Sequence, residues 1–246
     1  MRKLLSSTIL LAGLAVVAIP AQAGDDLSVT TTVDYVTDYV FRGVSLADSA
    51  IQSGVEVGAG DFYAGAWFST GIGDTSLFAA DELDLYAGYG FTLSDSVSAD
   101  VGVTYYHYPQ GGGLFDTKGG AAGTYEVYGG LSFDTTLSPS VYGYYDFTLE
   151  AFTVEGAVGH SIETGEATSL DLGLTAGLVD GDGFSWEYAQ ASASLGYALS
   201  DNVSAYVAAN YAINSDSLLN YEDCLFATNG CEANLLFFGA GVSAGF

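Results

Sequence analysis

Leu235-Leu236-Phe237-Phe238-Gly239-Ala240-Gly241-Val242-Ser243-Ala244-Gly245-Phe246, the last stretch of the sequence, decides how the rest is read. Leu236, Phe238, Ala240, Val242, Ala244 and Phe246 share one side of an extended chain, and Gly239, Gly241, Ser243 and Gly245 share the other. Successive side chains of a strand point to opposite faces, so this stretch reads as a strand with one apolar wall and one small, polar wall.

Upstream the alternation recurs. Leu83, Leu85, Ala87, Tyr89 and Phe91 oppose Glu82, Asp84, Tyr86 and Gly88. Val97, Ala99, Val101, Val103 and Tyr105 oppose Ser98, Asp100, Gly102, Thr104 and Tyr106, and Leu170 to Leu178 repeats the pattern against Asp171, Gly173, Thr175 and Gly177. Such segments lie near 28–41, 51–59, 62–70, 82–93, 97–108, 124–133, 141–148, 152–162, 169–178, 186–199, 203–213 and 235–246. Twelve is an even number, and the lengths approach the roughly 9–11 residues that a tilted strand needs to cross a bilayer. No amphipathic helical period interrupts them.

The connections separate a membrane barrel from a soluble sheet protein. Gly60-Asp61, Ser94-Asp95-Ser96 and Ser200-Asp201-Asn202 are tight, and three turns share a pattern: Leu93 to Val97, Leu137 to Val141 and Leu199 to Val203. Most alternate connections are long, as at 71–80, 109–123 and 215–234, although the one near Leu149-Glu150 is short. Short turns on one side and long loops on the other is the outer-membrane pattern. A secreted β-sandwich would also alternate. Against it stand an apolar face kept through every segment with no helix to cover it, the asymmetric connections, and a final Phe in phase with the apolar wall. The expected fold is all-β: a transmembrane up-and-down antiparallel barrel of about twelve strands.

The N-terminus fits export. Arg2 and Lys3 precede an apolar run from Leu4 to Ile19, and Ala21-Gln22-Ala23 supplies a small-x-small cleavage pattern. A signal peptide over 1–23 and a barrel over 24–246 are expected, with no Cys at the new terminus to suggest a lipoprotein. The destination is the Gram-negative outer membrane, with its lipid and its barrel-assembly machinery as partners.

Charge is lopsided: 4 basic against 30 acidic residues, a net charge of −26. Beyond Arg2 and Lys3, only Arg42 and Lys118 are basic, so phosphate backbones are repelled and nucleic-acid binding is excluded. Acidity at this level often means disorder, but 49% hydrophobic residues argue against it here.

The segment Val33-Asp34-Tyr35-Val36-Thr37-Asp38-Tyr39-Val40-Phe41-Arg42-Gly43-Val44-Ser45, with Ala50-Ile51-Gln52-Ser53-Gly54, Phe62 to Trp67 and Tyr144-Tyr145-Asp146-Phe147, resembles the TorF-type porin family, formerly labelled Gcw_chp, of conserved Gram-negative outer-membrane proteins. The resemblance is strongest in the first third of the chain. It implies a β-barrel and a porin role without naming a substrate. It also implies that Phe246 is the terminal aromatic read as an assembly signal.

With the apolar wall facing lipid, the inward carboxylates are Asp34, Asp38, Glu56, Asp84, Asp100, Glu126, Asp146, Glu155 and Asp171, accompanied by Tyr63, Tyr86, Tyr106, Tyr128, Tyr142, Tyr144 and Tyr206. Crowded carboxylates concentrate cations and repel anions, so a passive, cation-preferring channel for small solutes is expected. Tyr faces beside carboxylates also suit cationic solutes. The competing reading is a plugged, structural or adhesive barrel in which Asp–Tyr hydrogen bonds satisfy buried polar groups. Inward Gly favours openness and inward Tyr opposes it. Arg42 has two readings, an ion pair that fixes the first loop or a part of a constriction.

Cys224 and Cys231 lie in the last long loop and read as a disulfide. No metal site or cofactor is expected: the two Cys have no His or further Cys nearby, and no P-loop, CxxC or dinucleotide fingerprint occurs. Asp180-Gly181-Asp182-Gly183 lacks the EF-hand pattern. His107 and His160 have no catalytic neighbours at a suitable spacing, so no enzyme is expected.

Overall fold

The structure is a computed structural model, and it describes residues 27–72, 81–118, 122–219 and 232–246. The signal peptide, Cys224 and Cys231 lie outside the described residues. Twelve strands close into one antiparallel barrel: β1 (Leu27–Val36), β4 (Ala50–Ala59), β5 (Phe62–Gly71), β6 (Asp81–Ser94), β7 (Val97–His107), β8 (Gly123–Phe133), β9 (Ser140–Asp146), β10 (Ala151–Glu163), β11 (Thr168–Gly181), β12 (Phe184–Ala198), β13 (Val203–Asn214) and β14 (Asn234–Gly245). Each pairs with its sequence neighbours, and β1 pairs with β14 to close the ring, from Thr30 opposite Gly245 to Val36 opposite Gly239. Closure leaves no unpaired edge, which is what a hydrocarbon environment demands of a sheet.

The two walls follow the period-two pattern. Val33, Val55, Val101, Leu174, Val207 and Leu236 are exposed on the outside. Exposed aromatics gather near the two rims, with Phe62, Tyr89, Tyr197 and Phe246 at one end and Tyr145, Phe147, Phe152 and Phe184 at the other. Such girdles mark the interfaces of a membrane barrel. His160 is exposed and His107, on the outward phase of β7, is buried; each has Nδ1 2.8 Å from a backbone carbonyl oxygen, of Thr136 and Ala122 respectively.

Two expected boundaries are corrected. The segment expected over 28–41 is not one strand: it ends at Val36, and the chain turns at Thr37-Asp38 into a separate hairpin of β2 (Tyr39–Phe41) and β3 (Val44–Ala47). The alternation runs on past the break because residues 39–41 also alternate between two environments, and neither Gly nor Pro marks the bend. The loop expected between the ninth and tenth segments shrinks to Asp182-Gly183, because β11 and β12 pair as far as Gly181 opposite Phe184. Gly183, at φ +85°, supplies the left-handed residue that so short a turn needs.

Candidate functional site: the barrel lumen

Asp34, Glu56, Asp84, Asp100, Glu126, Asp146, Glu155 and Asp171 all lie on inward-facing positions of their strands, as do Tyr63, Tyr86, Tyr106, Tyr128, Tyr142, Tyr144 and Tyr206. Asp38 does not line the wall. It sits half-buried at the bend between β1 and β2 and accepts a 2.8 Å hydrogen bond from the Thr37 hydroxyl. Burial pushes its carboxyl up to about 6; the Thr37 hydroxyl opposes the shift and Asp48 adds to it. Asp146 is inward but serves its turn, accepting from the backbone N–H groups of Thr148 and Leu149 at 2.8 Å.

The inward Tyr and Gly residues are not independent. Tyr63 stands directly opposite Gly88, Tyr86 opposite Gly65, Tyr188 opposite Gly177 and Tyr206 opposite Gly241. A Cβ added at any of these glycines would run into the facing phenol ring, so each ring lies flat across its glycine. The hydroxyl beyond reaches a carboxylate on the next strand. Tyr86 donates to Glu56 at 3.1 Å, Tyr188 to Glu155 at 2.6 Å and Tyr206 to Asp34 at 2.8 Å. Tyr63 reaches Asp100 at 3.0 Å and also meets the Tyr128 hydroxyl at 2.5 Å. Four times, then, a Tyr–Gly–carboxylate set spans three adjacent strands. Large rings are laid along the wall, not across the bore, and the acids are held in place.

The lumen is crossed near the rim of the longer connections by the β2–β3 hairpin. Its two-residue turn is Arg42-Gly43, with φ +47° and +77°, the left-handed pair of a type I′ turn. Gly suits that conformation and Arg does not. A Cβ at Gly43 would also collide with Cβ of Tyr188. The hairpin hangs between β1 and β4, and its tip lands on β8 and β9. In the ring β8 is five strands from β1 by way of β4, and β9 is six by way of β14, so the tip reaches the opposite wall.

Arg42 makes a bidentate pair with Glu126, Nη1 to Oε2 at 2.6 Å and Nη2 to Oε1 at 2.9 Å, while its guanidinium lies 4.2 Å from the Tyr144 ring centre. Tyr106 completes Glu126 with a 3.0 Å hydrogen bond. On one flank Tyr39 donates to Glu82 Oε2 at 2.9 Å and packs on Trp67, and Phe41 meets Tyr106. On the other, Val40 packs against Ala212, Leu219 and Phe237. The Trp186 indole N–H donates to Arg42 O at 2.8 Å, and the Asn214 amide to Gly43 O at 2.9 Å. The two readings of Arg42 merge: the ion pair that fixes the first loop also holds that loop across the bore.

Glu82, Asp84, Glu126 and Asn214, at the level of the hairpin, are buried; nearer the short-turn rim Glu56, Tyr142, Ser194 and Tyr206 are partly exposed, while Tyr63, Asp100, Tyr128 and Asp171 are buried within the wall's own side-chain network. Sequence reasoning missed Glu82, Tyr39, Tyr188, Trp67 and Asn214 as site residues. Register between adjacent strands carries the signal for Tyr188; Tyr39 is found only by seeing that 39–47 leaves the wall.

The architecture has known counterparts. The KdgM porin superposes with a TM-score of 0.57 at 11% identity, covering 89% of this chain and 99% of that one. The NanC porin gives 0.55 at 13%, covering 88% and 98%. The COG4313 outer membrane channel from Pseudomonas putida F1 gives 0.53 at 10%, covering 89% and 95%. At these identities the likeness establishes a shared fold, that of outer-membrane barrels. No curated protein matches the sequence. Residues 20–177 match the model of a family described as bacterial protein of unknown function (Gcw_chp), and the chain belongs to that family.

Proposed function

We propose that this protein is an outer-membrane porin-like channel for passive diffusion of small solutes, cation-preferring and constricted by the inward hairpin. The observation that carries the reading is the inner wall: six carboxylates receive phenol hydrogen bonds, and the single Arg among the described residues is consumed by Glu126. A low-dielectric wall lined with one sign of charge focuses potential and enriches counter-ions. The fold shared with porins and the resemblance of Val33–Ser45 to TorF-type porins support the same reading. Residues 1–23 act as the export signal and Phe246 as the mark read by the assembly machinery.

The test is single-channel recording of the refolded mature chain in a planar bilayer under a salt gradient. Discrete openings whose reversal potential favours cations, reduced in a Glu56→Gln, Asp100→Asn double variant, are the expected result. Anion preference would sink the electrostatic argument while leaving the channel. A second reading, a non-conducting structural or adhesive barrel, is favoured by one observation: the hairpin touches walls on both of its flanks. Verified insertion without any conductance, in the wild type and in a variant lacking 39–47, would establish that reading instead.

A further inference from the structure

Glu82 and Asp84 stand apart from the other lumen acids. Both are 0% exposed, and they are inward neighbours on β6. Two residues along a strand are about 6.6 Å apart, close enough for two side chains to meet at one point between them. Glu82 accepts from Tyr39 at Oε2, and the Tyr108 hydroxyl also lies beside its carboxylate; among the described residues Glu82 Oε1 and both oxygens of Asp84 have no well-aligned hydrogen-bond partner. Asp34, Glu56, Asp100, Glu126 and Glu155 each accept from a phenol; Asp84 is flanked in register by Trp67 and Tyr106, yet neither donates to it. The nearest guanidinium, Arg42, is engaged by Glu126, Lys118 is on the exterior of a loop, and both His lie on the outward phase of their strands.

We propose that Glu82 and Asp84 form a divalent-cation site roofed by the β2–β3 hairpin. Two buried carboxylates with three unsatisfied oxygens are a strongly unfavourable arrangement unless protons neutralise them or a positive charge lies among them, and a cation satisfies the free oxygens of both acids at once. The pair carries two formal charges, which one divalent ion neutralises. The lining is hard oxygen, with the buried Ser69 hydroxyl beside Glu82 in register, and hard oxygen selects calcium or magnesium over softer metals. Among the described residues no third Asp, Glu, His or Cys joins them as a ligand group, so water completes the shell and the site is weak. Half-saturation is expected at about 0.1–1 mM calcium, the range of sites on extracellular modules. Because Tyr39 bonds to Glu82, an ion here also ties the hairpin to β6.

Terbium luminescence tests this directly, since terbium replaces calcium and is sensitised by a nearby indole. The chain has two Trp, Trp67 beside Asp84 and Trp186 near Arg42. The refolded full barrel in detergent, stripped with chelator, is titrated with terbium under indole excitation. Saturable emission is expected, displaced by calcium, kept in Trp186→Phe and lost in Trp67→Phe. Asp84→Asn and Glu82→Gln should each weaken binding at least tenfold, with heat-modifiable gel mobility confirming that the variants are folded. Emission unchanged in both charge variants, or displaced by sodium as readily as by calcium, overturns the proposal. The assay reads binding and not flux, so its outcome is separate from whether the barrel conducts.

Discussion

Arg42, carried across the lumen by a hairpin rooted between β1 and β4, meets Glu126 on the far wall through two parallel hydrogen bonds of 2.6 and 2.9 Å, with both side chains largely buried. The pair is the far anchor of a hairpin whose near end is covalently tied to β1 and β4. Removing one partner of a buried ion pair leaves an uncompensated charge, at about 3–5 kcal/mol. That exceeds what the single hydrogen bonds from Trp186 and Asn214 return, at about 0.5–1.5 kcal/mol each. Arg42→Ala is therefore expected to undock the hairpin and raise single-channel conductance several-fold. Arg42→Lys keeps the charge but loses the fork, so intermediate conductance is expected. Conductance unchanged in Arg42→Ala would show that the hairpin is held by its flanks alone.

The flat tyrosines set a second expectation. At Gly88 a Cβ would occupy the place of the Tyr63 ring. Gly88→Ala should tip that ring into the bore, break its bond to Asp100 and lower conductance. A Gly88→Ala, Tyr63→Ala double variant should recover conductance to wild type or above. Gly60→Ala, at a turn where an added Cβ meets nothing within 4 Å, is the comparison, strained in backbone but leaving the lumen lining alone.

Most of the wall was legible because period two is unambiguous where one face must be apolar: Leu236 to Phe246, Leu83 to Phe91 and Leu170 to Leu178 each set their own orientation. The hairpin was not. Tyr39, Val40 and Phe41 alternate as a lipid-facing strand does, but their two environments are the two flanks of a hairpin inside the lumen. Alternation records that there are two faces, not which surfaces cover them. The competition between inward Gly and inward Tyr also looked undecidable residue by residue. It resolves only with register, when Tyr188 is found opposite Gly177 and Tyr206 opposite Gly241. The ion pair of Arg42 with Glu126 spans 84 positions, and no local pattern encodes it.

Acid should favour the docked hairpin. The Asp38 carboxyl, at the bend outside the barrel strands, is pushed from an ordinary 3.8 up to about 6, chiefly by burial. In the undocked loop it is hydrated and titrates near the lower value. A group raised in the docked state stabilises docking fully below about 3.8 and loses that contribution as pH rises through about 6. Closed time in single-channel records should therefore lengthen as pH falls from 7 to 4. Asp38→Asn mimics the protonated form, so it should show long closures at pH 7 and a flatter profile. A profile identical to wild type would assign the acid response to the lumen carboxylates.

Phe246 tests the closing seam. Its backbone N–H donates to Val29 O at 2.9 Å and its carbonyl accepts from Val29 N at 3.0 Å, so it pairs β1 just beyond the end of β14. Its side chain is 74% exposed on the outer rim, beyond the apolar row of Leu236, Phe238 and Val242. Little of that ring is buried within the protein, so Phe246→Ala should leave the stability of a refolded barrel nearly unchanged, within about 0.5 kcal/mol for an exposed site. If the ring is instead a mark read during assembly, the same variant should accumulate poorly in the outer membrane when expressed in a Gram-negative host. Urea unfolding of refolded protein and outer-membrane yield separate the two effects. Normal yield with normal stability removes the assembly role, and lowered stability reassigns Phe246 to the seam itself.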